Sequence, residues 1–286
     1  MKIYQFLLFG FFLILGQLTY GQWTRERGKG YYKLSAWYLE ADQHYTDTGA
    51  IEPNATRGQF NLNLYAEYGI TDRWNVVGYV PFFSRTYQND IFSKTTGELI
   101  TPGEAVNSIG DIDLGITYGL IQNEKLALST TLLFGIPSGN DSGGSDGSYQ
   151  TGDGEFNQMV RIAAGKPFSV VQLPAYAKAY LGYNNRTQNF SDELRAGAEL
   201  GVQFFNRLWV AGKLDVVQSM HNGTLSAQNS QGSIFANNVE FIGLGAEAAY
   251  YISPKWGVSA TYGGALDGRI IYADPSFAIG IFLDIK

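Results

Sequence analysis

Ser219 and His221 come closest in this chain to a nucleophile and its base. Acyl transfer by a hydroxyl needs an imidazole within hydrogen-bond reach and a third group to orient that ring. Two positions apart on a strand, the pair would share a side about 7 Å apart at backbone level, and the sequence supplies no third group. An outer-membrane acyl hydrolase is therefore carried only as an alternative, and no enzyme is expected. Asp141, Asp146, Asp153 and Glu155 could offer oxygen ligands to calcium, yet their spacing fits neither an EF-hand nor a regular Gly-Asp repeat. A solvated loop is the reading taken for 137–154. Gly243-Leu244-Gly245-Ala246-Glu247 lacks the helix that must follow if a pyrophosphate is to be held. His44 and His221 are read as solvated loop residues. With no cysteine and two histidines in 286 residues, thiol-metal, redox and His-rich centres are set aside, and no cofactor is expected. Lys and Arg total 20 against 26 acids, with no basic run to track phosphates, so nucleic acid is not a partner.

The other charged residues are spaced differently. Lys33, Glu67, Asp111, Asp113, Arg161, Lys178, Arg195, Glu199, Lys213, Asp215, Glu247 and Asp284 fall on the polar side of stretches in which every second residue is apolar. Ile112, Leu114, Ile116, Tyr118 and Leu120 alternate with Asp111, Asp113, Gly115, Thr117 and Gly119; Leu194 to Val202 alternate in the same way with Arg195 to Gln203. That period belongs to a strand with one greasy face. Charges at bilayer depth face water or one another. Two readings stay open: the rows line a hydrated passage and tune its selectivity, or they neutralise each other across a closed interior and stiffen its wall. Lys213 with Asp215, and Arg195 with Glu199, place opposite signs on one face, so narrow ion selectivity is not expected.

The elements that must position these rows are strands. The pattern predicts twelve, near 29–41, 57–70, 74–84, 107–120, 125–136, 155–166, 175–187, 192–205, 207–219, 237–251, 255–267 and 275–286. Connections such as 70–73, 121–124, 168–174, 205–207 and 253–255 are short, whereas 42–56, 85–106, 137–154 and 220–236 are long and rich in Gly, Ser, Asn, Asp and Thr. Ahead of them, Lys2 and the apolar stretch Phe6 to Leu18 read as a secretory signal peptide, since about 13 residues are too few to span a bilayer as a helix. The division is therefore 1–21 as leader and 22–286 as one domain. An even number of strands, short turns at one rim and long loops at the other describe a transmembrane antiparallel up-and-down β-barrel, all-β in class, with both termini at the periplasmic rim. Closure follows because hydrocarbon cannot satisfy the peptide groups of an open sheet edge. Trp74, Trp256, Tyr68, Tyr118, Tyr250 and Tyr262 on the apolar side are candidates for interfacial girdles. A secreted β-sandwich is the soluble alternative.

The segments Gly110-Asp111-Ile112-Asp113-Leu114-Gly115-Ile116-Thr117-Tyr118-Gly119-Leu120 and Tyr68 to Phe82 resemble recurring segments of the transporter-like outer-membrane family associated with the meta-pathway of phenol degradation, and the likeness spans most of the mature chain. The resemblance implies a barrel that moves small hydrophobic or aromatic compounds across the outer membrane. Two departures stand out. The chain ends Ile285-Lys286 where many bacterial barrels end in an aromatic, and 22–29 is too short to form an N-terminal plug. The combined expectation is a passive, modestly selective route for small solutes in the bacterial outer membrane, with lipid and the barrel-assembly machinery as partners. The alternative is a closed barrel that binds or adheres through its outer loops.

Overall fold

The period-two pattern becomes a closed wall in the computed structural model, which describes residues 23–226 and 231–286. The leader expected over 1–21 lies outside the described residues. Among the described residues the strands are β1 Gly30–Tyr45, β2 Ile51–Gly69, β3 Trp74–Gln88, β4 Ile91–Phe92, β5 Leu99–Thr101, β6 Glu104–Ser108, β7 Ile112–Gln122, β8 Ala127–Ile136, β9 Asn157–Val170, β10 Leu173–Arg186, β11 Glu193–Phe204, β12 Leu208–Ser219, β13 Glu240–Tyr251, β14 Trp256–Arg269 and β15 Ser276–Ile285. β7 to β15 pair in sequence order, β15 pairs with β1, β1 with β2, β2 with β3, and β3 returns to β7. Every pairing is antiparallel. The result is a closed barrel of twelve staves with no free edge in the ring, which is the condition for a sheet to survive in hydrocarbon.

Outward positions carry Leu64, Leu114, Val160, Ile162, Leu181, Leu200 and Ile279, all exposed in the isolated chain, as a band meant for lipid must be. Tyr68, Trp74, Tyr250 and Trp256 stand exposed at the short-turn ends of β2, β3, β13 and β14, and Trp74 leans on Tyr118 with ring centroids 4.6 Å apart. Tyr262 instead sits midway along β14 against Phe277. The shortest turns are tight for a physical reason: Val171 and Gln172 (φ 48° and 68°), and Phe205 and Asn206 (φ 52° and 56°), adopt the paired left-handed conformations of a two-residue hairpin turn whose twist matches its strands.

Several boundaries depart from the sequence reading. Segment 42–56 is mostly hairpin, since β1 continues to Tyr45 and β2 begins at Ile51. His44 is therefore a buried strand residue, bridged to Tyr272, and not a solvated loop residue. β9 runs on to Val170, so its turn shrinks to 171–172. The stretch read as one strand at 107–120 divides into β6 and β7 around Ile109, Gly110 and Asp111. The reason lies in β3, where Pro81 has no N–H to offer a ladder and the register against β2 slips between Leu62 and Leu64. Gly110 donates its N–H to the Pro81 carbonyl at 2.8 Å, and a side chain at Gly110 would meet the Pro81 ring at 2.6 Å. Only glycine fits that crossing.

Candidate functional site: the charged lumen

A cavity of about 740 Å³ occupies the barrel interior and draws lining residues from every one of the twelve staves, most of them from β1, β2, β3 and β10 to β13. On one wall, five charged side chains form a chain across the strands. Lys33 Nζ donates to Glu247 Oε1 at 2.8 Å, Lys213 Nζ donates to Glu247 Oε2 at 2.5 Å and lies 3.7 Å from Glu199 Oε2, and Lys178 Nζ stands 2.9 Å from Glu199 Oε1. The hydroxyl of Tyr176 also donates to Glu199. The alternation of sign is what allows five charges to share so small an area: each carboxylate lies between two ammonium groups. Lys33 reaches from β1 past β15 because Gly280 leaves its side of that strand empty; a Cβ there would stand 3.0 Å from Lys33 Cε.

Nearer the long-loop rim a second cluster centres on Arg186. Its guanidinium donates to Asp153 Oδ2 at 2.8 Å, to Glu155 Oε1 at 2.7 Å and to Glu193 Oε1 at 2.9 Å, while Arg195 Nη2 donates to the other oxygen of Glu193 at 2.6 Å. Asp111 joins the cluster from the break before β7, accepting the backbone N–H of Gly139 at 2.9 Å and of Asp153 at 2.8 Å. These contacts hold both ends of loop 137–156 to the barrel. Burial pushes the Asp153 carboxyl well up, against the opposing pull of Arg186, with Asp111 and Glu155 adding to the rise. Asp111 is raised as well, by burial, against the two N–H donors that favour its charge.

At the short-turn rim the segment preceding β1 crosses the mouth. Thr24 N–H donates to Gln122 Oε1 at 3.1 Å, Arg25 Nη1 donates to Asp284 Oδ1 at 2.7 Å and Arg25 Nε lies 3.4 Å from Glu67 Oε2. Trp23 packs edge-on against Tyr176 at 6.1 Å, and Tyr176 leans on Trp209 at 5.2 Å. β10, which carries Tyr176, is diametrically opposite β1 in the ring. Residues 23–29 thus span the opening, which corrects the view that they are too short to obstruct it: a strap needs only the width of the barrel. The opposite mouth is partly filled by 231–239 and 270–273, whose Ile234, Ala236, Val239, Ile271 and Tyr272 pack on Trp37, Leu39, Val217 and Phe241. Segment 220–236, read as a long loop, contributes the buried Ala236 because apolar side chains there have an apolar wall to cover.

Of the twelve charged residues singled out from sequence, Lys33, Glu67, Asp111, Asp113, Lys178, Arg195, Glu199, Lys213 and Glu247 line the cavity. Arg161, Asp215 and Asp284 face inward without reaching it. The Arg161 guanidinium stacks over the Tyr180 ring at 5.3 Å, the Tyr180 hydroxyl donates to Asp215 Oδ1 at 2.8 Å, and Asp284 is held by Arg25 and by Tyr251 at 2.7 Å. Nine of the twelve thus line the cavity and three are held behind its lining. Sequence reasoning missed Arg186 and Glu193, although both fall inside the strands predicted at 175–187 and 192–205 and on the same parity as Lys178 and Arg195. It also missed Trp23 and Arg25, which lie outside every periodic stretch.

The other candidates acquire ordinary partners. His221 Nε2 is 2.8 Å from Glu240 Oε1, whereas Ser219 Oγ is 2.8 Å from Asn238 Oδ1 and accepts the backbone N–H of His221, so the imidazole is not aimed at the serine. Asp153 and Glu155 are taken up by Arg186, and Asp146 accepts the Ser148 N–H at 2.9 Å.

A closed twelve-stave antiparallel barrel with an oily exterior and a charged interior has the fold of the outer-membrane β-barrels. The COG4313 outer membrane channel from Pseudomonas putida F1 is similar over 93% of this chain and 99% of its own, with a TM-score of 0.60 at 14% identity. The NanC porin is similar over 89% and 99%, with a TM-score of 0.50 at 9% identity. LpxR from Salmonella typhimurium is a looser likeness, with a TM-score of 0.48 at 11% identity over 89% of this chain and 100% of its own. No protein-family model and no curated protein matches the sequence.

Proposed function

We propose that this chain is a channel of the bacterial outer membrane that gives small solutes, hydrophobic and aromatic ones among them, a passive route to the periplasm. The observation that carries the reading is the 740 Å³ lumen, charged along the Lys33–Lys178 chain and around Arg186 and apolar where β1, β12 and β13 approach the long-loop mouth, enclosed by a barrel whose outside is fit only for lipid. Water and partly polar solutes gain an interior that hydrocarbon denies them. Residues 1–21 are the export signal on this reading, the short-turn rim is periplasmic, and the strands are inserted by the barrel-assembly machinery. The resemblance to the phenol meta-pathway family supports the solute class, and the presence of an outer membrane channel among the similar folds supports the role of a channel.

Conductance of purified protein in planar bilayers tests it. Reproducible current steps, together with swelling of protein-containing liposomes in small neutral solutes, are the expected result; silence in both assays rejects the channel. A second reading has its own observation: the strap at 23–29 and the packed segments 231–239 and 270–273 narrow both mouths. A barrel closed in this way would act through its loops, and silence in both assays is what it requires. Catalysis forms no part of the proposal, because Ser219 is turned toward Asn238 and away from the His221 ring.

A further inference from the structure

The chain of charges on the lumen wall is unequal. Three ammonium groups, Lys33, Lys178 and Lys213, share two carboxylates, Glu199 and Glu247, and all five line the cavity. Asp215 is the nearest further acid along that wall, but it is buried behind the lining with its carboxylate held by the Tyr180 hydroxyl. Within this chain of five, ammonium groups outnumber carboxylates by one, in a lining that as a whole carries six basic and seven acidic side chains. Lys33 and Lys178, at the two ends of the chain, each contact a single carboxylate and keep donors to spare, since an ammonium has three.

The same wall changes character toward the long-loop mouth. Trp37 lies four residues beyond Lys33 on the inner face of β1, and Val217 four beyond Lys213 on β12, a distance of about 13 Å along each strand. Phe241, Val239, Ile234 and Phe235 continue that apolar ground around the lining. Lysines with donors to spare and an apolar surface thus face one cavity at a fixed separation, and 740 Å³ is within the usual range for a small-molecule site.

We propose that the lumen holds a binding site for small amphipathic organic anions, with the carboxylate at an end of the chain, on Lys33 or Lys178, and the apolar body against Trp37 and the Ile234–Phe235 edge. This names the solute class of the channel proposed above and rests on that reading for its role in transport. The binding itself does not need conduction. A carboxylate at either lysine replaces water on an ammonium group with a charge-assisted contact, while the body leaves water for Trp37.

Three probes of matched shape separate head group from body: 4-phenylbutyrate, 4-phenylbutan-1-ol and 4-phenylbutylamine, titrated calorimetrically into the protein in zwitterionic nanodiscs with empty nanodiscs subtracted. The carboxylate is expected to bind at least tenfold more tightly than the alcohol, and the amine most weakly. In the double variant K33Q/K178Q, which leaves Lys213 between both glutamates, that preference should vanish with alcohol binding unchanged; heat-modifiable migration on gels confirms that the barrel is folded. W37A should weaken carboxylate and alcohol alike. Equal affinity for the three probes, or tightest binding of the amine, overturns the site. Carboxylate preference in a protein that is silent in bilayers upholds the site and removes the channel, whereas current steps without head-group preference do the reverse.

Discussion

Lys213 is the residue on which the lumen wall turns, because it is the one cation shared by Glu199 and Glu247. Replacing it with Met leaves each carboxylate one lysine, places two acids side by side and removes the middle of the chain. Breaking a buried pair costs roughly 3–5 kcal/mol, and a wet cavity brings the expected loss toward about 3 kcal/mol. Lys33→Met removes only an end of the chain and should cost about 1 kcal/mol. Urea unfolding in lipid vesicles, followed by tryptophan fluorescence, measures both; equal losses would mean that the five charges do not act as a chain. A second comparison concerns which way a side chain points. Leu114 faces lipid and Asp113 the lumen, one residue apart. Leu114→Arg should destabilise by roughly 2–4 kcal/mol if it lies near mid-bilayer, while Asp113→Asn should alter conductance with little effect on unfolding. Facing was readable in the sequence because strand periodicity sorts neighbours onto opposite sides. What periodicity could not show is depth: Asp113 and Asp215 look alike in the pattern, yet Tyr180 covers Asp215 and leaves Asp113 at the cavity.

At the level of elements, loop 137–156 is joined to the barrel through buried acids, and that makes its docking depend on pH. Asp153 and Asp111 both titrate above their ordinary range, chiefly through burial. A carboxyl whose pKa is raised by folding stabilises the folded arrangement below its unfolded pKa, and that contribution is lost as pH rises through the raised value. Docking should therefore be firmer at pH 5 than at pH 8. Arg186 keeps the loop in place at the higher pH through Glu155 and Glu193, so the change is a loosening and not a release. Amide exchange in the loop, corrected for intrinsic rates, should show greater protection at pH 5, and Asp153→Asn should flatten the dependence. The reverse trend would mean that the Gly139 and Asp153 N–H donors outweigh burial at Asp111. The loop was recognisable from its Gly, Ser and Asp content, but its docking was not. Composition marks where a strand ends and says nothing of which distant residue, here Asp111 at the Pro81 break, will receive the loop's amides. The break itself had a visible cause in Pro81, whose consequence falls on the neighbouring strand and so escapes any window drawn along one segment.

For the molecule as a whole, the strap at 23–29 decides how the barrel behaves as a conduit. Where it crosses the opening it is held by Arg25 to Asp284 and Glu67, Thr24 to Gln122 and the Asp72 carbonyl, and Trp23 against Tyr176, while its later residues are tied to the wall by Gly28 N–H to the Gly69 carbonyl at 2.9 Å and Arg27 N–H to Asp72 Oδ1 at 3.0 Å. The part over the mouth, 23–25, is thus anchored chiefly by side chains, and its ion pair is partly exposed, with the Arg25 side chain 27% accessible. If the short-turn mouth limits current, loosening the strap must raise conductance without weakening the barrel. Arg25→Gln removes the charge from two carboxylates, and Trp23→Ala removes the anchor on the far wall. Together they are expected to increase the single-channel step severalfold while the unfolding free energy from urea titration stays within about 0.5 kcal/mol of the parent, the usual range for substitutions remote from a core. They should also bias permeation toward cations, because Glu67 and Asp284 are then left without Arg25 at the mouth. Reversal potentials across a salt gradient report that bias directly. An unchanged step with an unchanged reversal potential would place the limiting constriction at the opposite end, where Ile234 and Phe235 face the cavity, and the same recording on Phe235→Ala would then show the increase.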